Sequence, residues 1–480
     1  MIFDIILSVI IFLNILFAIA IIFVQRKNPT AIAAWLLVLF LIPVLGFILF
    51  LVFGQDYRKA KMFKLKSEND KELMEIVSSQ KTHLKALHTD VNDRWSGALH
   101  RMILMLLESN VAVITLNNKV RVYTDGKKKF ADLLEAIRNA RDHVHMEYYI
   151  MKDDGIGRDI ITALAERARA GVEVRLLLDG LGSSALPRRF FEEFKKAGGK
   201  HAVFFPSMIP FINIRMNYRN HRKIAVIDGD TAFVGGYNIG DDYLGLYKRW
   251  GNWRDAAVRI EGHGAMAAQL RFFLDWNYAS KDHIDFNDRF FPDKPLPDAS
   301  AIQIVSGGPD IKWNPVKESY LKMITSATET VYLQSPYFIP DESVSDALRI
   351  AALSGIDVRI MIPDQPDHMF VYWASHSYVE ELLDSGVRAY TYDNGFLHAK
   401  TIVIDGTVAS VGSANWDVRS FKLNFETNAI IYDEAVAGEL HQAYLDDLAV
   451  CTELTPAWYA RQSWFFRARS SVSRLFSPIL

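Results

Sequence analysis

At 480 residues the chain is long enough for two or three domains, each with its own core. Its 54 Lys and Arg against 56 Asp and Glu leave a formal charge of −2, without the basic excess that a nucleic-acid partner would call for. A single cysteine, Cys451, excludes an intrachain disulfide and a cysteine-based zinc site, and no His-Glu-x-x-His spacing occurs, so chemistry without a metal or cofactor is expected.

The first 55 residues are a different material from the rest. Residues 5–24 and 31–53 carry no charge, and each run is as long as the roughly 20 residues that span a bilayer as a helix. Only Gln25-Arg26-Lys27-Asn28-Pro29-Thr30 separates them, so a transmembrane helical hairpin is predicted over 1–55. Asp4 and the missing basic leader argue against a cleaved signal peptide. Arg58, Lys59, Lys61, Lys64 and Lys66 follow the second run, whereas the loop holds Arg26 and Lys27. That bias predicts both chain ends in the cytoplasm, with the body of the chain against the inner face of the membrane.

Residues 56–120 have helical periodicity (Leu73, Ile76, Val77, then Leu84 and Leu87) and read as a connector. From 121 the chain repeats itself. A helix over 130–139, a strand over 144–150, a helix over 157–170 and a strand over 172–178 recur as helix 320–327, strand 331–333, helix 343–353 and strand 358–362. Ala170-Gly171-Val172-Glu173-Val174-Arg175 returns as Ser354-Gly355-Ile356-Asp357-Val358-Arg359. Alternating helices and apolar strands predict a mostly parallel or mixed sheet covered on both faces. The Pro-rich Phe291-Pro292-Asp293-Lys294-Pro295-Leu296-Pro297 then divides two similar α/β domains, 121–290 and 298–480.

Each half contains His-x-Lys-x-x-x-x-Asp: His221, Lys223 and Asp228 in the first, His398, Lys400 and Asp405 in the second. A Gly-x-x-Asn follows each, ending in Asn238 and Asn415. Two residues apart on a strand, His and Lys project from one face. Two histidines can attack a phosphodiester and protonate the group that leaves, while Lys and Asn hold phosphate oxygens. Asp228 and Asp405, each at a strand end before Gly, read as structural partners or turn-formers. Asp255 and Glu426 occupy matching points of the two repeats. Each is a candidate to orient an imidazole, and the repeat pattern gives every His its own Lys, Asn and carboxylate.

These motifs resemble the phospholipase D superfamily and, more narrowly, the bacterial cardiolipin synthases. The resemblance is carried by Tyr218-Arg219-Asn220-His221-Arg222-Lys223, Gly235-Gly236-Tyr237-Asn238, Trp253-Arg254-Asp255, Ser335-Pro336-Tyr337-Phe338, Gly395-Phe396-Leu397-His398-Ala399-Lys400 and Asn415-Trp416-Asp417-Val418-Arg419. It implies two α/β/α sandwich domains packed with pseudo-two-fold symmetry. It also implies phosphatidyl transfer between two phosphatidylglycerol molecules in the membrane, giving cardiolipin and glycerol through a phosphatidyl-histidine. It assigns His221 as nucleophile and His398 as acid/base, whereas the symmetry of the motifs by itself allows the reverse. A hydrolytic phospholipase D, or a transferase using another alcohol, is the alternative. The apolar stretch 204–212 and the tail 461–480, with Arg461, Arg467, Arg469 and Arg474 among Trp464, Phe465 and Phe466, are each candidates for lipid contact or for packing on the body.

Overall fold

A computed structural model describes residues 97–206, 218–294, 296–297 and 300–477, together with helical positions 9, 11–16, 18–19, 36–40, 44 and 46. The connector up to residue 96, the loop joining the two apolar runs, and most of the 204–212 stretch lie outside the described residues. Among the described residues no helix is long and apolar enough to cross a membrane. Asn14 is buried, and its Nδ2 donates to Leu39 O at 3.2 Å.

The first half contains β1 (Ile114–Tyr123), β2 (His143–Tyr148), β3 (Glu173–Asp179), β4 (Lys200–Phe204), β5 (Arg219–Asn220), β6 (Lys223–Ile227), β7 (Thr231–Gly235), β8 (Trp253–Arg254) and β9 (Ala257–Gly262). The second contains β10 (Ser300–Gly307), β11 (Thr330–Gln334), β12 (Phe338–Ile339), β13 (Asp357–Pro363), β14 (Arg388–Tyr392), β15 (Phe396–Leu397), β16 (Thr401–Ile404), β17 (Val408–Gly412), β18 (Trp416–Asp417), β19 (Asn424–Tyr432) and β20 (Cys451–Leu454).

The repeat seen in the sequence is a repeat of topology. In the first half β2, β3 and β4 run parallel, and β6, β7, β9 and β1 continue antiparallel from β2. In the second half β11, β13 and β14 run parallel, and β16, β17, β19 and β10 continue from β11 in the same way. Strands such as β2, β10 and β19 are buried along their whole length, as expected for a sheet covered on both faces. The helices start where the repeat predicts them: Asp154 caps Gly155–Arg169 and Asp341 caps Glu342–Leu353, each through a side-chain oxygen on a free backbone N–H.

The halves are not two separate sandwiches. Antiparallel pairing of β1 with β10, through Ile114↔Gln303 and Asn118↔Ser300, joins them into one 16-stranded sheet. The sheet folds so that Val226, Val234, Val258 and Ile260 share one core with Val403, Val411, Ala429 and Ile431. β1 also crosses the boundary expected at residue 120. The helix before it, Gly97–Asn110, places Met102, Ile103 and Leu106 in the core of the second half, beside Val316 and Tyr320.

The tail forms the helix Trp464–Leu475, which lies on the helix Met369–Leu383. Phe466 packs on His376 and Trp458, while Arg469 and Arg474 cover Trp373 and Tyr378 at 5.0 and 4.5 Å. Arg469 and Arg474 thus turn toward the body, and Trp464, Phe465 and Leu475 are left exposed. At the start of the 204–212 stretch, Phe204 and Phe205 are buried against Phe425.

Candidate active site

Both histidines stand just before the strands β6 and β16, at the end of the sheet where β2, β3, β11 and β13 finish. Each is fixed by a short parallel bridge to the opposite half. β5 pairs with the start of β19, and His221 N donates to Phe425 O at 2.9 Å. β15 pairs with β8, and His398 N donates to Arg254 O at 2.7 Å.

These bridges exchange the carboxylates. His221 Nδ1 lies 3.0 Å from both oxygens of Glu426, and His398 Nδ1 lies 2.6 Å from Asp255 Oδ2. Each imidazole is therefore oriented by the other repeat, which corrects the expectation that every His has the carboxylate of its own half. Two-residue bridges leave no periodic signal in a sequence, so this pairing was invisible there. With Nδ1 turned to a carboxylate, Nε2 is the nitrogen left to react, and no hydrogen bond to either Nε2 occurs among the described residues.

The lysines complete a symmetric set. Lys223 Nζ donates to His221 O at 2.5 Å, and Lys400 Nζ donates likewise to His398 O. Each ammonium keeps two further hydrogens for phosphate oxygens. Burial pushes both imidazoles down to about 4, with the lysines of both halves adding to the effect and the carboxylates opposing it. Burial likewise lowers Lys223 to about 7 and Lys400 to about 8, against the pull of Glu426 and Asp255. Both lysines thus act on both histidines. Burial favours neutral histidines, and an anionic diester would stabilise the charge of the two lysines.

The two asparagines are buried in matching places. Asn238 accepts from Ile150 N at 3.2 Å and gives one amide hydrogen to Tyr243 OH at 2.9 Å, so one remains. Asn415 Oδ1 has no hydrogen-bond partner among the described residues.

The motif aspartates, grouped by sequence with the catalytic candidates, are placed elsewhere. Five residues of strand separate them from the lysines, roughly 16 Å. Asp228 accepts from the N–H groups of Arg141, Asp142 and His143 at 2.8–3.1 Å, pinning the start of β2. Asp405 accepts from Thr328, Glu329 and Thr330 at 2.8 Å and pins β11. Both have φ near +50°, a turn conformation that Asp tolerates before Gly.

Other residues of the site carried no separate sequence signal. Ser413 Oγ donates to Glu426 Oε2 at 2.5 Å, and Asn424 Nδ2 donates to Oε1 at 3.2 Å. The residue matching Ser413 in the first half is Gly236, where a Cβ would stand 2.1 Å from Asp255 Oδ1. Arg222, fully buried inside the first motif, bonds Glu426 O, Thr427 Oγ1, Gly307 O and Asp275. Its counterpart in the second motif is Ala399. The aromatic rings of Tyr149 and Tyr243 lie 4.9 and 6.1 Å from His221 and His398. The topology is thus symmetric, and the surroundings of the two histidines are not.

Comparison with known proteins agrees with this geometry. A family model described as cardiolipin synthase, PLD-like domain, matches residues 133–271 and again 320–448, and a phospholipase D-nuclease N-terminal model matches 12–55. The chain is 50% identical over 469 residues to a cardiolipin synthase of Staphylococcus aureus (strain N315), covering 98% of this chain and 95% of that one. It is 49% identical over 478 residues to the major cardiolipin synthase of Bacillus subtilis (strain 168), covering 99% of each. The crystal structure of a phosphatidylserine synthase from Haemophilus influenzae Rd KW20 shares the fold, with a TM-score of 0.61 at 15% identity over 79% of this chain and 99% of that one. With both repeats matched by one family model and relatives at half identity over nearly the whole length, the chain belongs to the cardiolipin synthase family of PLD-like proteins.

Proposed function

We infer that the protein is a cardiolipin synthase, a phosphatidyltransferase that converts two phosphatidylglycerol molecules into cardiolipin and glycerol. The observation that carries this reading is the pair of carboxylate-oriented histidines, each with a buried lysine, in a chain half identical to cardiolipin synthases along almost its full length. His221 Nε2 attacks phosphorus, the bond to the departing glycerol oxygen breaks, and His398, which carries a proton in the loaded site, gives it to that oxygen. The hydroxyl of a second phosphatidylglycerol then gives its proton to His398 and attacks phosphorus. The P–N bond breaks and His221 is restored. Lys223, Lys400, Asn238 and Asn415 hold the non-bridging oxygens and offset charge as it develops.

The unequal surroundings support this order of roles. Ser413 and Asn424 both donate to Glu426 and spread its charge, which weakens its hold on an imidazolium and favours a neutral, nucleophilic His221. Asp255 otherwise accepts from Ala256 N at 2.7 Å, and its bond to His398 is the shorter, favouring a proton carrier there. The apolar runs within residues 1–55 form a membrane hairpin that keeps the catalytic halves on the cytoplasmic face. The contact of Asn14 with Leu39 and the Lys and Arg bias support it.

Purified protein incubated with labelled phosphatidylglycerol in detergent should yield cardiolipin and glycerol. Phosphatidic acid as the main product, with no cardiolipin, would defeat the reading. His398→Ala should still trap the phosphatidyl group on the protein and His221→Ala should not. The opposite result exchanges the roles.

A further inference from the structure

We propose that the end of the sheet bearing the histidines is itself a bilayer-docking face, whose apolar loop tips enter an anionic membrane surface around the mouth of the site. The proposal rests on the phospholipid reading above and adds where and how the body meets the lipid.

Six of the large apolar side chains left exposed on the catalytic halves lie at this end. Leu181 follows β3, Leu246 and Tyr247 follow β7, Trp313 follows β10, and Met369 and Phe370 open the helix after β13, the Phe370 ring 6.1 Å from that of Phe476; all six are exposed. Each of these strands finishes where the catalytic groups stand, and each segment is tied to an element that carries or adjoins a site residue. Next to Leu181, Ser183 Oγ donates to Tyr149 O at 3.0 Å, and the Tyr149 ring lies 4.9 Å from His221. Leu246 N donates to Asp241 O, three residues beyond Asn238. The loop bearing Trp313 leaves β10 at Gly307, paired with Glu426. Before Met369, Asp367 accepts from Tyr337 OH and its field raises Lys400.

These apolar residues come from unconnected strands of both halves and lie at the end of the sheet where His221 and His398 stand. Exposed Lys248 and Arg249 follow Leu246 and Tyr247, and exposed Lys312 precedes Trp313 at 4.7 Å from its ring. Basic residues beside apolar tips match an anionic headgroup layer over hydrocarbon. A lipid whose phosphate must reach His221 then keeps its acyl chains in the membrane, because the tips bring the mouth down to the headgroups.

The test uses the full chain with Cys451→Ser and one added cysteine, labelled with an environment-sensitive fluorophore, in phosphatidylglycerol vesicles. Leu246→Cys and Phe370→Cys should give blue-shifted emission quenched by a nitroxide on the acyl chain. Leu353→Cys, 65% exposed at the far end of the helix Glu342–Leu353, should stay water-like. Water-like emission at all three positions while cardiolipin is formed overturns the docking face and leaves the activity standing. Equal quenching at all three also overturns it. Immersion at 246 and 370 without cardiolipin keeps the docking face and defeats the synthase reading instead. As a second measure, Leu246→Ser with Phe370→Ser should lose activity several-fold on vesicles and keep it on a short-chain, monomeric phosphatidylglycerol. Equal loss on both substrates overturns the proposal.

Discussion

Gly236→Ala should disable His398 without touching it. A Cβ at this position would stand 2.1 Å from Asp255 Oδ1 and 2.8 Å from Cγ, against roughly 3.5 Å for an unstrained contact. Asp255 is fully buried and held on both oxygens, by Ala256 N at 2.7 Å and His398 Nδ1 at 2.6 Å. It can clear the methyl only by turning its carboxylate away from the imidazole. Hydrogen bonds to a charged group are worth about 1.5–3 kcal/mol, which is a loss of about 10- to 150-fold in kcat if the bond acts mainly in the transition state. Lys223, Lys400 and the asparagines do not move, so KM should hold. The assay is conversion of labelled phosphatidylglycerol in mixed micelles by the full chain, with thermal unfolding to verify folding. Asp255→Ala should lose as much, and the double variant no more than Asp255→Ala, because the added methyl then has room. Ser413→Ala, at the matching place in the other repeat, removes a donor without a clash and should cost less. Full activity in Gly236→Ala, or a loss that multiplies that of Asp255→Ala, would refute the reasoning.

Four further outcomes follow from the same geometry. With Lys223 at about 7 and Lys400 at about 8, kcat/KM for phosphatidylglycerol should decline as pH rises through that range, since it reports the free enzyme; a flat profile to pH 9 would contradict this. Unfolded lysines keep their proton up to the ordinary 10.5, so between those values the unfolded state binds more protons and stability should climb with pH. Melting temperatures at pH 7, 8.5 and 10 test that rise, and Lys223→Met should flatten it. Asp228→Ala leaves three backbone N–H groups without their acceptor and should cost about 1–3 kcal/mol of stability, with kcat of the folded protein unchanged. Arg222→Met breaks a buried ion pair with Asp275 and removes the bonds of Arg222 to Gly307, Glu426 and Thr427 of the other half. It should cost about 3 kcal/mol, the low end for such a break, because Arg271 stays on Asp275 at 3.2 Å; denaturant unfolding would measure it.

Much of this fold is written in the chain at short range. The strands expected over 144–150 and 358–362 are β2 and β13, and the helices expected over 157–170 and 343–353 are Gly155–Arg169 and Glu342–Leu353. Periodicity reports which face of an element meets apolar neighbours, and that is a local property. The His, Lys and Asn of each half were equally legible, because each trio shares one hairpin: Lys223 opens β6, and Asn238 follows β7 at the same end. What sequence spacing could not carry is contact between repeats. Glu426 reaches His221 across 205 residues and Asp255 reaches His398 across 143, through bridges only two residues long. Nor did the joining of the halves through β1 and β10 show, since one antiparallel edge pairs as readily with solvent or with another strand until its partner is known. The repeat itself pointed to the wrong pairing, because similarity between halves suggests that each is complete. A site on the axis between two copies can be built either within each copy or by exchange, and both leave the same residues at the same spacing. Exchange makes each histidine depend on the other half being folded. His221 is oriented only when Glu426 of the second half is in place, and His398 only when Asp255 of the first half is, so under the proposed roles a phosphatidyl-enzyme would not form before its acid is assembled.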